Sequence, residues 1–557
     1  GDWSSDVCSS DLYGGGEIIP DLDRLYVWNL DIEIASDEAF APPEDPFNEV
    51  VAITVKWRHN GTSGVLVYGT KPYTPKDGIT YHHCENESAL LTQFLSDWRG
   101  KGDYPDIVTG WNVQFFDMPY LVNRVTRVLG DAAMLKFSPL GRIAQRTVTI
   151  YGRDQQVVDI RGIAILDYFE LYRKFTYSQQ ESYRLDHIAH VELGKRKLSY
   201  DEYRSLAKLY RENYQKFIDY NIRDVELVDE LDQKLKLIEL VCALAYSAKA
   251  NYVDTFRQVR LWDIMIYHYL RARHIQIPPR REVEKTEQYA GAFVKDPLVG
   301  QHEWVVSFDV ASMYPHIIRE WNLSPETLMS KVSGAWHTVD QLLERPPVSE
   351  HTEGEYAIAA NGVLTRRDTE GFLPAMLKTL YDERVRFKTM ATDAKKEREK
   401  LDKTDPQYPV LTKQIAAYNN QQAVRKVNLN SAYGALGSNY FRFYDTDLAE
   451  AVTLTGQLTI RWIARDVNAY LNRILKTNAD YVIASDTDSI YVNLGVLVRQ
   501  EDAFTGRTKD QIVTMLDRFC EQRIQQVIDT SLDALAKYLN VAVPCLSMKR
   551  EVIADKG

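Results

Sequence analysis

Strand-like and helical runs of hydrophobic residues alternate along the first part of the chain. The segments "LYVWNLDIEIA" (25–35), "EVVAITVKW" (49–57) and "GVLVYG" (64–69) are typical of strands, and "ALLTQFLSDWRG" (89–100) is typical of a helix. A further helical stretch follows at about 208–240. This alternation predicts an α/β domain.

A second α/β region is predicted after the "IPPR" break at 277–280. It begins with "EWVVSFDV" (303–310), whose hydrophobic residues predict a buried strand. A charged helical tract at about 374–403, the turn-rich "DKTDPQYP" (402–409) and a helix at about 410–432 interrupt the strands before the region resumes. The pattern predicts a multidomain α/β protein with an all-helical insertion in its second strand-bearing domain.

Length and composition narrow the class of protein. A chain of 557 residues is too long for one hydrophobic core, so two to four domains are expected. We find no apolar run long enough to cross a bilayer, and we expect no membrane partner. The five cysteines are scattered without metal-ligand spacing, which favours a reducing compartment and argues against a zinc site. Residues 1–20 begin with a Ser/Asp/Gly-rich stretch and are interpreted as a non-native leader.

The chain has a net charge of −11, but one segment of it is basic. Between Lys378 and Lys426 there are 12 Lys and Arg against seven Asp and Glu. This asymmetry permits a local site for a polyanion on an acidic protein, because the position of the basic residues matters more than the total. A solvated helical face is the alternative interpretation.

Two aspartates lie between the strand-like runs of "YVIASDTDSIYVNL" (481–494), where a hairpin turn is predicted. Asp486 and Asp488 are two residues apart and share a face if the strand geometry persists. Their repulsion, roughly 4 kcal/mol at 4 Å and an effective dielectric near 20, would be relieved by a cation or by an unusual protonation state. A solvated turn remains the alternative, whereas a calcium loop lacks its glycine and its final glutamate.

A third carboxylate, Asp309, ends the strand "WVVSFD" and is followed by "VASMYPHII". If the hairpin lies beside this strand, Asp309 and Asp488 could hold two divalent ions. Two such ions clamp the attacking and leaving oxygens of a phosphoryl transfer. Magnesium suits a site of a few carboxylates completed by phosphates and water.

Three motifs give the second half a resemblance to the family B DNA polymerases, in particular the replicative group of T-even-type tailed phages. "SFDVASMYPHII" resembles motif A, "KVNLNSAYGALGS" motif B and "SDTDS" motif C, and "NLSPET" follows motif A. The resemblance implies that Asp309 and Asp488 are the main metal ligands, that Asp486 is a supporting acid and that Glu551 is a palm carboxylate. Residues 484–485 are Ala-Ser where the family usually has Tyr-Gly.

The helical spacings agree with a site for a nucleoside triphosphate. Arg384 and Lys388 are four residues apart on one predicted helix, and Lys426, Asn430 and Tyr433 lie at i, i+4 and i+7 on the next. By resemblance, the nucleotide-binding residues are Arg384, Lys388, Lys426, Asn430, Tyr314, Ser312 and Met313. Tyr314 would stack under the sugar and select deoxynucleotides. Tyr433 and Gly434 would lie against the nascent base pair.

The first half carries a separate set of acids. Asp31 and Glu33 share one face of a predicted strand, and Tyr220 and Asp224 are four residues apart on a predicted helix. "DIVTGWNVQFFDMPYLVNR" (106–124) supplies Asp117. These residues resemble the three exonuclease motifs of proofreading polymerases, which implies a ribonuclease-H-like fold.

By resemblance, Asp31, Glu33, Asp117 and Asp224 would hold two metal ions, and Tyr220 would orient the attacking water. The resemblance also implies that Asn112 and Phe116 contact DNA, and that Tyr289 and Gly291 of the "YAGAFV" segment (289–294) do so as well. Tyr433 and Gly434 complete the expected DNA contacts.

The expected architecture is an exonuclease domain (21–240), a connecting segment (241–300), a right-hand polymerase palm (301–373 and 433–557) and a two-helix fingers insertion (374–432). Both ends of the family sequence are expected to be missing, including the thumb and the clamp-binding tail.

The sequence therefore predicts template-directed DNA synthesis from dNTPs on a primer–template, with 3′–5′ proofreading, in viral DNA replication. The expected cofactor is Mg²⁺, two per active site, with Mn²⁺ as an alternative. A sliding clamp and replisome proteins are expected partners of the full-length protein, in the cytoplasm of the host cell if the source is viral. The alternatives are a fragment active only as a 3′–5′ exonuclease and an inactive DNA-binding fragment. A reverse transcriptase or RNA polymerase is less consistent with Tyr314 and the exonuclease set.

Overall fold

The computed structural model describes residues 22–35, 41–150, 152–176, 179–280, 289–332, 336–348 and 356–557. The predicted leader, residues 1–20, lies outside the described residues. The chain divides into two compact units between Arg257 and Gln258. The predicted connecting segment, 241–300, contributes helices to both units. None of the described helices has the length and hydrophobicity to cross a membrane.

The first unit contains a six-stranded mixed sheet with the strand order β4-β3-β2-β1-β5-β8. Its strands are β1 (Val27–Ile34), β2 (Val50–His59), β3 (Thr62–Gly69), β4 (Ile79–His83), β5 (Ile107–Thr109) and β8 (Ala164–Ile165). A separate hairpin is formed by β6 (Ile143–Ile150) and β7 (Arg153–Ile160). Seven of the eight residues of β1 are buried, as expected for a central strand that is covered on both faces.

The α-helices of the first unit are α1 (Glu87–Arg99), α2 (Asp117–Leu129), α3 (Asp131–Met134), α4 (Tyr168–Phe175), α5 (Leu185–Leu193), α6 (Leu206–Glu212), α7 (Tyr214–Leu235) and α8 (Leu237–Ala248). The side chain of Asn213 caps α7 by accepting the backbone N–H of Lys216. Phe217, Ile218, Val225 and other apolar residues at helical spacing bury one face of α7, which packs on β1 and β2. This packing brings the middle of α7 over the centre of the sheet.

The second unit contains a five-stranded sheet with the order β16-β10-β15-β14-β9, in which all neighbours are antiparallel. Its strands are β9 (Val294–Lys295), β10 (Glu303–Val310), β14 (Val482–Asp486), β15 (Ser489–Asn493) and β16 (Met548–Lys556). A three-stranded sheet is formed by β11 (Leu328–Lys331), β13 (Val363–Arg366) and β12 (Tyr356–Ile358). The predicted buried strand at 303–310 is therefore confirmed as β10, between β15 and β16.

The α-helices of the second unit are α9 (Gln258–Arg271), α10 (Met313–Glu320), α11 (Val339–Leu343), α12 (Phe372–Arg398), α13 (Gln407–Leu436), α14 (Thr446–Leu475), α15 (Gly495–Gln500), α16 (Lys509–Phe519) and α17 (Gln525–Tyr538). The two long helices α12 and α13 pack along each other and lie in the chain between strands, as the predicted helical insertion requires. Helix α13 continues beyond the predicted end at about 432 to Leu436.

The predicted hairpin at 481–494 is present, but strand geometry does not persist through its aspartates. Strand β14 ends at Asp486, Asp486 pairs with Ser489, and Thr487 has a left-handed backbone with φ of 54°. Asp488 therefore lies in the two-residue turn and does not share a strand face with Asp486. The condition for a shared face is therefore not met, because a tight turn reverses the chain between the two carboxylates.

Candidate active sites

Three carboxylates meet in the first unit where α7 crosses β1. Oxygen atoms of Asp31, Glu33 and Asp224 all lie within 4.8 Å of one another. Asp31 and Glu33 are two residues apart on β1, so both point toward α7, which carries Asp224. Among the described residues this is the one group of three potential ligands that close together.

The fourth predicted acid, Asp117, is the first residue of α2. It is buried, and its Oδ1 accepts the backbone N–H of Ile32 at 3.0 Å, between Asp31 and Glu33 on β1. Burial raises the pKa of Asp117 to about 7, although the N–H groups of Ile32 and of Asp117 itself oppose the shift. The structure thus brings the four predicted acids of the first unit to one place.

A lysine that the sequence analysis did not single out lies in the same cluster. The ammonium group of Lys197 donates to Asp224 Oδ2 at 2.6 Å and to the Tyr220 hydroxyl at 3.3 Å. Burial opposes the charge of Lys197, but Asp224 and Tyr220 outweigh burial and raise its pKa above the ordinary value. Lys197 is therefore a fixed positive charge that partly neutralises the acids and holds Tyr220 beside them.

Two buried asparagines also orient the cluster. Asn221, on α7, donates its Nδ2 to Asp31 Oδ2 at 2.6 Å. Asn29, on β1, donates its Nδ2 to the carbonyl of Val225 at 2.8 Å. These bonds fix the register between strand and helix, so the carboxylates are held close together despite their repulsion.

The electrostatics of the cluster suit a divalent cation. Burial, followed by the charge of Asp224, raises the pKa of Glu33 to about 8, and burial and Asp117 raise that of Asp31 well above its usual range. Asp224 Oδ1 is buried and accepts no hydrogen bond within the described residues. An unpaired buried carboxylate oxygen among other carboxylates is the donor set that a hard cation requires. The residues present therefore fit a metal site.

The raised pKa values predict that the metal-free first unit loses stability as the pH rises. An acid whose pKa is higher in the folded chain contributes stability that is present below its unfolded pKa and lost as pH rises through its folded pKa. For Glu33 this window runs from the usual 4.5 to about 8. In EDTA, the thermal unfolding midpoint should fall by several degrees between pH 6 and pH 8.5, and MgCl₂ should reduce the fall.

The control for this pH profile is the double variant Asp31→Asn, Glu33→Gln, which removes two of the shifted groups. Its melting curve in EDTA should vary less with pH than that of the wild type. Parallel profiles of wild type and variant would contradict the assignment of the pH dependence to these carboxylates.

The predicted acids of the second unit lie at one end of the sheet formed by β10 and its neighbours. Asp309, near the end of β10, pairs with Ser489, the first residue of β15. The backbone N–H of Val310 donates to the carbonyl of Asp488 at 2.8 Å. The turn that carries Asp488 is therefore bonded to the strand that carries Asp309, as the sequence analysis required.

Glu551 reaches the same end of the sheet from β16. Ser307 pairs with Val552 and Phe308 with Arg550, so Glu551 is the extra residue of a β-bulge. Burial, and then the charges of Asp488 and Glu551, raise the pKa of Asp309 to about 6. Burial also raises the pKa of Asp488, with Asp486 and Glu551 adding to the shift.

The segment after β10 begins with a left-handed residue. Ser312 has φ of 48° and precedes α10, whose first two residues are Met313, which is buried, and Tyr314. The Ser312 hydroxyl accepts a hydrogen bond from Arg384 at 3.2 Å. The structure thus brings Arg384, on α12, to the residues that follow Asp309.

The aromatic residues assigned to nucleotide and DNA contacts also meet. The rings of Tyr314 and Tyr433 lie 4.7 Å apart, and Tyr433 shares a hydrogen bond with Tyr289. The carbonyl of Gly291 accepts a hydrogen bond from Gln457 at 2.6 Å. After Gly291, the chain forms β9, which pairs with β14 at Asp486. This strand was not predicted, because two residues carry no periodic signal.

The remaining predicted nucleotide and DNA contacts lie on the two long helices and before α2. Lys388 is exposed on α12, and Lys426, Asn430 and Gly434 follow one another along α13, with Asn430 and Gly434 exposed. Asn112 and Phe116 lie in the loop between β5 and α2.

A partly buried ion pair joins the two long helices beside the predicted phosphate contacts. Arg425, which is 6% exposed on α13, donates its Nε to Glu383 Oε2 on α12 at 2.9 Å and also bonds Gln421. The next residues along the two helices are Arg384 and Lys426. The sequence analysis counted Arg425 only as part of the basic segment, because spacing along one helix does not reveal a partner on another.

The Glu383–Arg425 pair is expected to couple α12 to α13. Glu383→Gln should lower the free energy of unfolding by about 2–4 kcal/mol, because it leaves the buried charge of Arg425 without its partner. Arg425→Gln should cost less through its charge, because the side chain of Glu383 is 32% exposed and water can solvate it. The double variant should lose less than the sum, with a coupling of at least about 1 kcal/mol in urea unfolding. The exposed pair Lys378–Asp382 on α12 is the matched control and should couple by about 0.5 kcal/mol or less. Equal coupling in the two pairs would contradict the prediction.

Comparison with known proteins agrees with this geometry. The family model for the DNA polymerase family B exonuclease domain matches residues 8–188, and the model for DNA polymerase family B matches residues 250–521. The first match contains Asp31, Glu33 and Asp117, and the second contains Asp309 and Asp488.

Curated relatives align with nearly the whole chain. The DNA-directed DNA polymerases of Escherichia phage RB69 and Enterobacteria phage T4 are 31% and 30% identical over 98% of the chain. The chain spans 66% of the length of each phage relative. The DNA polymerase delta catalytic subunit of Bos taurus is 26% identical over 87% of the chain and 42% of its own length.

Both family models and both phage relatives point to the same family, and the family models contain all the predicted metal ligands except Asp224, which lies between the two matched ranges. The chain belongs to the family B DNA polymerases.

Proposed function

We propose that this chain carries the template-directed DNA synthesis and the 3′–5′ exonuclease proofreading of a viral replicative DNA polymerase. Its substrates are dNTPs and primer–template DNA. The observation that carries the proposal is the presence of one acid cluster in each compact unit, with Asp31, Glu33 and Asp117 inside the exonuclease match and Asp309, Asp486 and Asp488 inside the polymerase match. The names of the phage relatives support the same activity.

In this proposal the domain boundaries follow the sequence analysis. Residues 21–240 form the ribonuclease-H-like exonuclease domain, 301–373 and 433–557 the palm, and 374–432 the fingers, with 241–300 connecting the two halves. The packing of α12 against α13 supports the two-helix fingers. A sliding clamp and replisome proteins are the proposed protein partners.

The proposed exonuclease site uses Asp31, Glu33, Asp117 and Asp224 to hold Mg²⁺, or Mn²⁺ in its place. A bound pair of such ions supplies Lewis-acid stabilisation of the attacking and leaving oxygens in phosphoryl transfer. Tyr220 orients the attacking water with its hydroxyl. The unpaired terminus of a mismatched primer reaches this site more readily than duplex does, and Asn112 and Phe116 contact it.

The chain's other polar residues at this site keep the reacting groups in place. Lys197 restrains Tyr220 and Asp224 through its two hydrogen bonds, and Asn221 restrains Asp31. Fixed donors and charges lower the cost of reorganisation during the reaction, so these contacts favour hydrolysis at the held phosphate.

The proposed polymerase site uses Asp309 and Asp488 as the ligands of the corresponding Mg²⁺ pair, with Asp486 and Glu551 as supporting acids. Burial, followed by the charges of Asp488 and Glu551, raises the pKa of Asp309 to about 6, so this carboxyl can give up its proton to bind a cation near neutral pH. The carboxylates lie at an open end of the sheet, where Asp486 and Glu551 are exposed. A primer terminus and a triphosphate therefore have access to both ligands.

The nucleotide is held from the side of the fingers. Arg384, Lys388 and Lys426 contact the triphosphate, and the guanidinium of Arg384 is already oriented by Ser312. Tyr314, packed against Tyr433, lies under the deoxyribose and excludes a ribose 2′-hydroxyl. The other proposed contacts are Met313 and Asn430 to the nucleotide and Tyr433, Gly434, Tyr289 and Gly291 to DNA.

A second candidate function is exonuclease activity alone. It is favoured by the fact that, in the part of the chain that the structure describes, the compact group of three potential metal ligands occurs only in the first unit. This candidate predicts trimming of a primer without extension.

A primer-extension assay on the purified chain separates the two candidates. A labelled primer with one mismatched 3′ nucleotide, annealed to a template, is incubated with MgCl₂ with and without dNTPs. Trimming without dNTPs and extension after correction with dNTPs are expected. Trimming without extension favours the exonuclease alone, and a chain that neither trims nor extends refutes both.

A further inference from the structure

We propose that Asp167 is a positioning residue of the exonuclease site, which fixes the loop that delivers Asp117 and the DNA contacts Asn112 and Phe116. This inference rests on the proposed function and adds a residue outside the motifs that the sequence analysis singled out. Asp167 follows the short strand β8 and is 2% exposed.

The carboxylate of Asp167 accepts three backbone hydrogen bonds. Oδ1 accepts the N–H groups of Asn112 at 3.0 Å and Phe169 at 2.9 Å, and Oδ2 accepts the N–H of Gln114 at 2.9 Å. The bond to Phe169 caps α4. The other two reach a loop more than 50 residues away in the sequence, so helix capping accounts for only one of the three bonds.

The loop that Asp167 holds has a conformation that requires external support. Asn112 has φ of 70°, in the left-handed region that an L-residue enters at a cost of roughly 1 kcal/mol or more. Two residues before Asn112 the chain has Gly110, where a Cβ would lie 2.4 Å from the carbonyl oxygen of Leu30 on β1. The loop therefore passes close to the strand that carries Asp31. Its backbone conformation is unfavourable in isolation and has to be stabilised by contacts from outside the loop.

A short chain of bonds connects Asp167 to the metal ligand. Gln114 and Asn112, which Asp167 holds, flank Val113, whose carbonyl accepts the N–H of Met118 at 3.0 Å. Met118 follows Asp117 in the first turn of α2. A shift of residues 112–114 therefore changes the start of α2 and with it the position of the Asp117 carboxylate.

The substitution Asp167→Asn breaks this support at one point. An amide is isosteric with the carboxylate but has one oxygen, which can still accept from Asn112 and Phe169. Its NH₂ group then faces the N–H of Gln114, where two donors meet. The variant keeps the helix cap and loses the bond to Gln114, whereas Asp167→Ala removes all three.

The test uses the full chain and combines activity, stability and hydrogen-exchange measurements. Exonuclease kcat and KM are measured on a single-stranded oligonucleotide, together with the MgCl₂ concentration for half-maximal rate. Extension of a matched primer, thermal unfolding and hydrogen exchange by mass spectrometry of a peptide covering 110–117 complete the set. A peptide covering 87–99 in α1 is the internal reference for hydrogen exchange.

For Asp167→Asn we expect exonuclease kcat to fall about 10–100-fold, the half-maximal MgCl₂ concentration to rise, and primer extension to remain within about twofold of wild type. Exchange in 110–117 should accelerate while 87–99 is unchanged. Asp167→Ala should have the larger effect on each measurement.

Glu87→Gln is the matched control, because Glu87 is another buried acid of the first unit: it accepts the backbone N–H of Val50 at 2.7 Å and pairs with the buried Arg124 on α2, so its loss perturbs α2 without touching residues 112–114. It should change thermal unfolding without a selective loss of trimming. An equal loss of trimming in Glu87→Gln at equal loss of stability would overturn the inference, as would unchanged kcat or unchanged exchange in Asp167→Asn. A wild-type chain without nuclease activity would instead refute the proposed exonuclease function, and the exchange data would still decide whether Asp167 holds the loop.

Discussion

Replacing Asp488 with Asn is expected to lower primer extension about 1000-fold while 3′–5′ trimming stays within about twofold of wild type. Asp488 lies in the turn that is bonded to β10 beside Asp309, and its pKa is raised first by burial and then by Asp486 and Glu551. The amide removes one negative charge from a ligand pair that must bind a divalent cation. A loss of about 4 kcal/mol in the transition state corresponds to about three orders of magnitude in rate.

The measurement is single-nucleotide extension of a matched primer, made in the Asp31→Ala background so that trimming does not remove the product. Asp486→Asn is the control, since Asp486 lies two residues earlier, at the end of β14, but is exposed and assigned a supporting role. It should reduce extension much less than Asp488→Asn. Equal losses in the two variants, or extension by Asp488→Asn at the wild-type rate, would refute the assignment of Asp488 as a metal ligand.

The two acid clusters differ in how their charge is compensated. In the first unit, four buried or half-buried carboxylates face one lysine, Lys197, and two asparagine side chains help to hold the arrangement. In the second unit, no residue comparable to Lys197 is bonded to Asp309 or Asp488 among the described residues, and Asp486 and Glu551 remain exposed. This difference is consistent with the proposed functions, in which a closed site cleaves a frayed strand and an open site accepts a duplex terminus with a triphosphate.

The parts of both sites that local periodicity determines could be predicted from the sequence. Asp31 and Glu33 alternate along a strand, Tyr220 and Asp224 are one helical turn apart, and each pair lies on the predicted element. Asp309 could be assigned to a strand end because the apolar run before it is unambiguous. The fold class followed from the same signals, and the helical insertion from two long runs without strand character.

The parts that depend on contacts between distant segments could not be predicted. Lys197 and Asp167 have no periodic or motif context, and their roles arise only when α7 and the loop before α2 are placed beside β1. From the sequence, Arg425 could be interpreted only as one cation of the basic segment, because its partner Glu383 lies on a different helix. Whether strand geometry persists through Asp486 and Asp488 could not be decided from the sequence, because strand propensity does not reveal the left-handed backbone of Thr487.

Replacing Asp31 with Ala is expected to lower exonuclease activity about 1000-fold or more and to leave extension of a matched primer unchanged. Asp31 is one of three acids with oxygens within 4.8 Å, so its loss removes a ligand from the centre of the group. The measurement is the release of mononucleotides from a single-stranded oligonucleotide in MgCl₂. Asp45→Ala, at an exposed acid of the same unit, should have no effect.

The stability of Asp31→Ala separates a lost ligand from a damaged fold. The substitution removes the hydrogen bond from Asn221, worth about 1 kcal/mol, but it also removes a charge that the neighbouring carboxylates repel. In EDTA at pH 8 the two effects oppose each other, so the melting temperature should not fall, and the stabilisation by MgCl₂ should shrink. If the variant instead melts well below the wild type in EDTA, the lost activity reports unfolding, and if it trims at the wild-type rate, the first cluster is not the nuclease site.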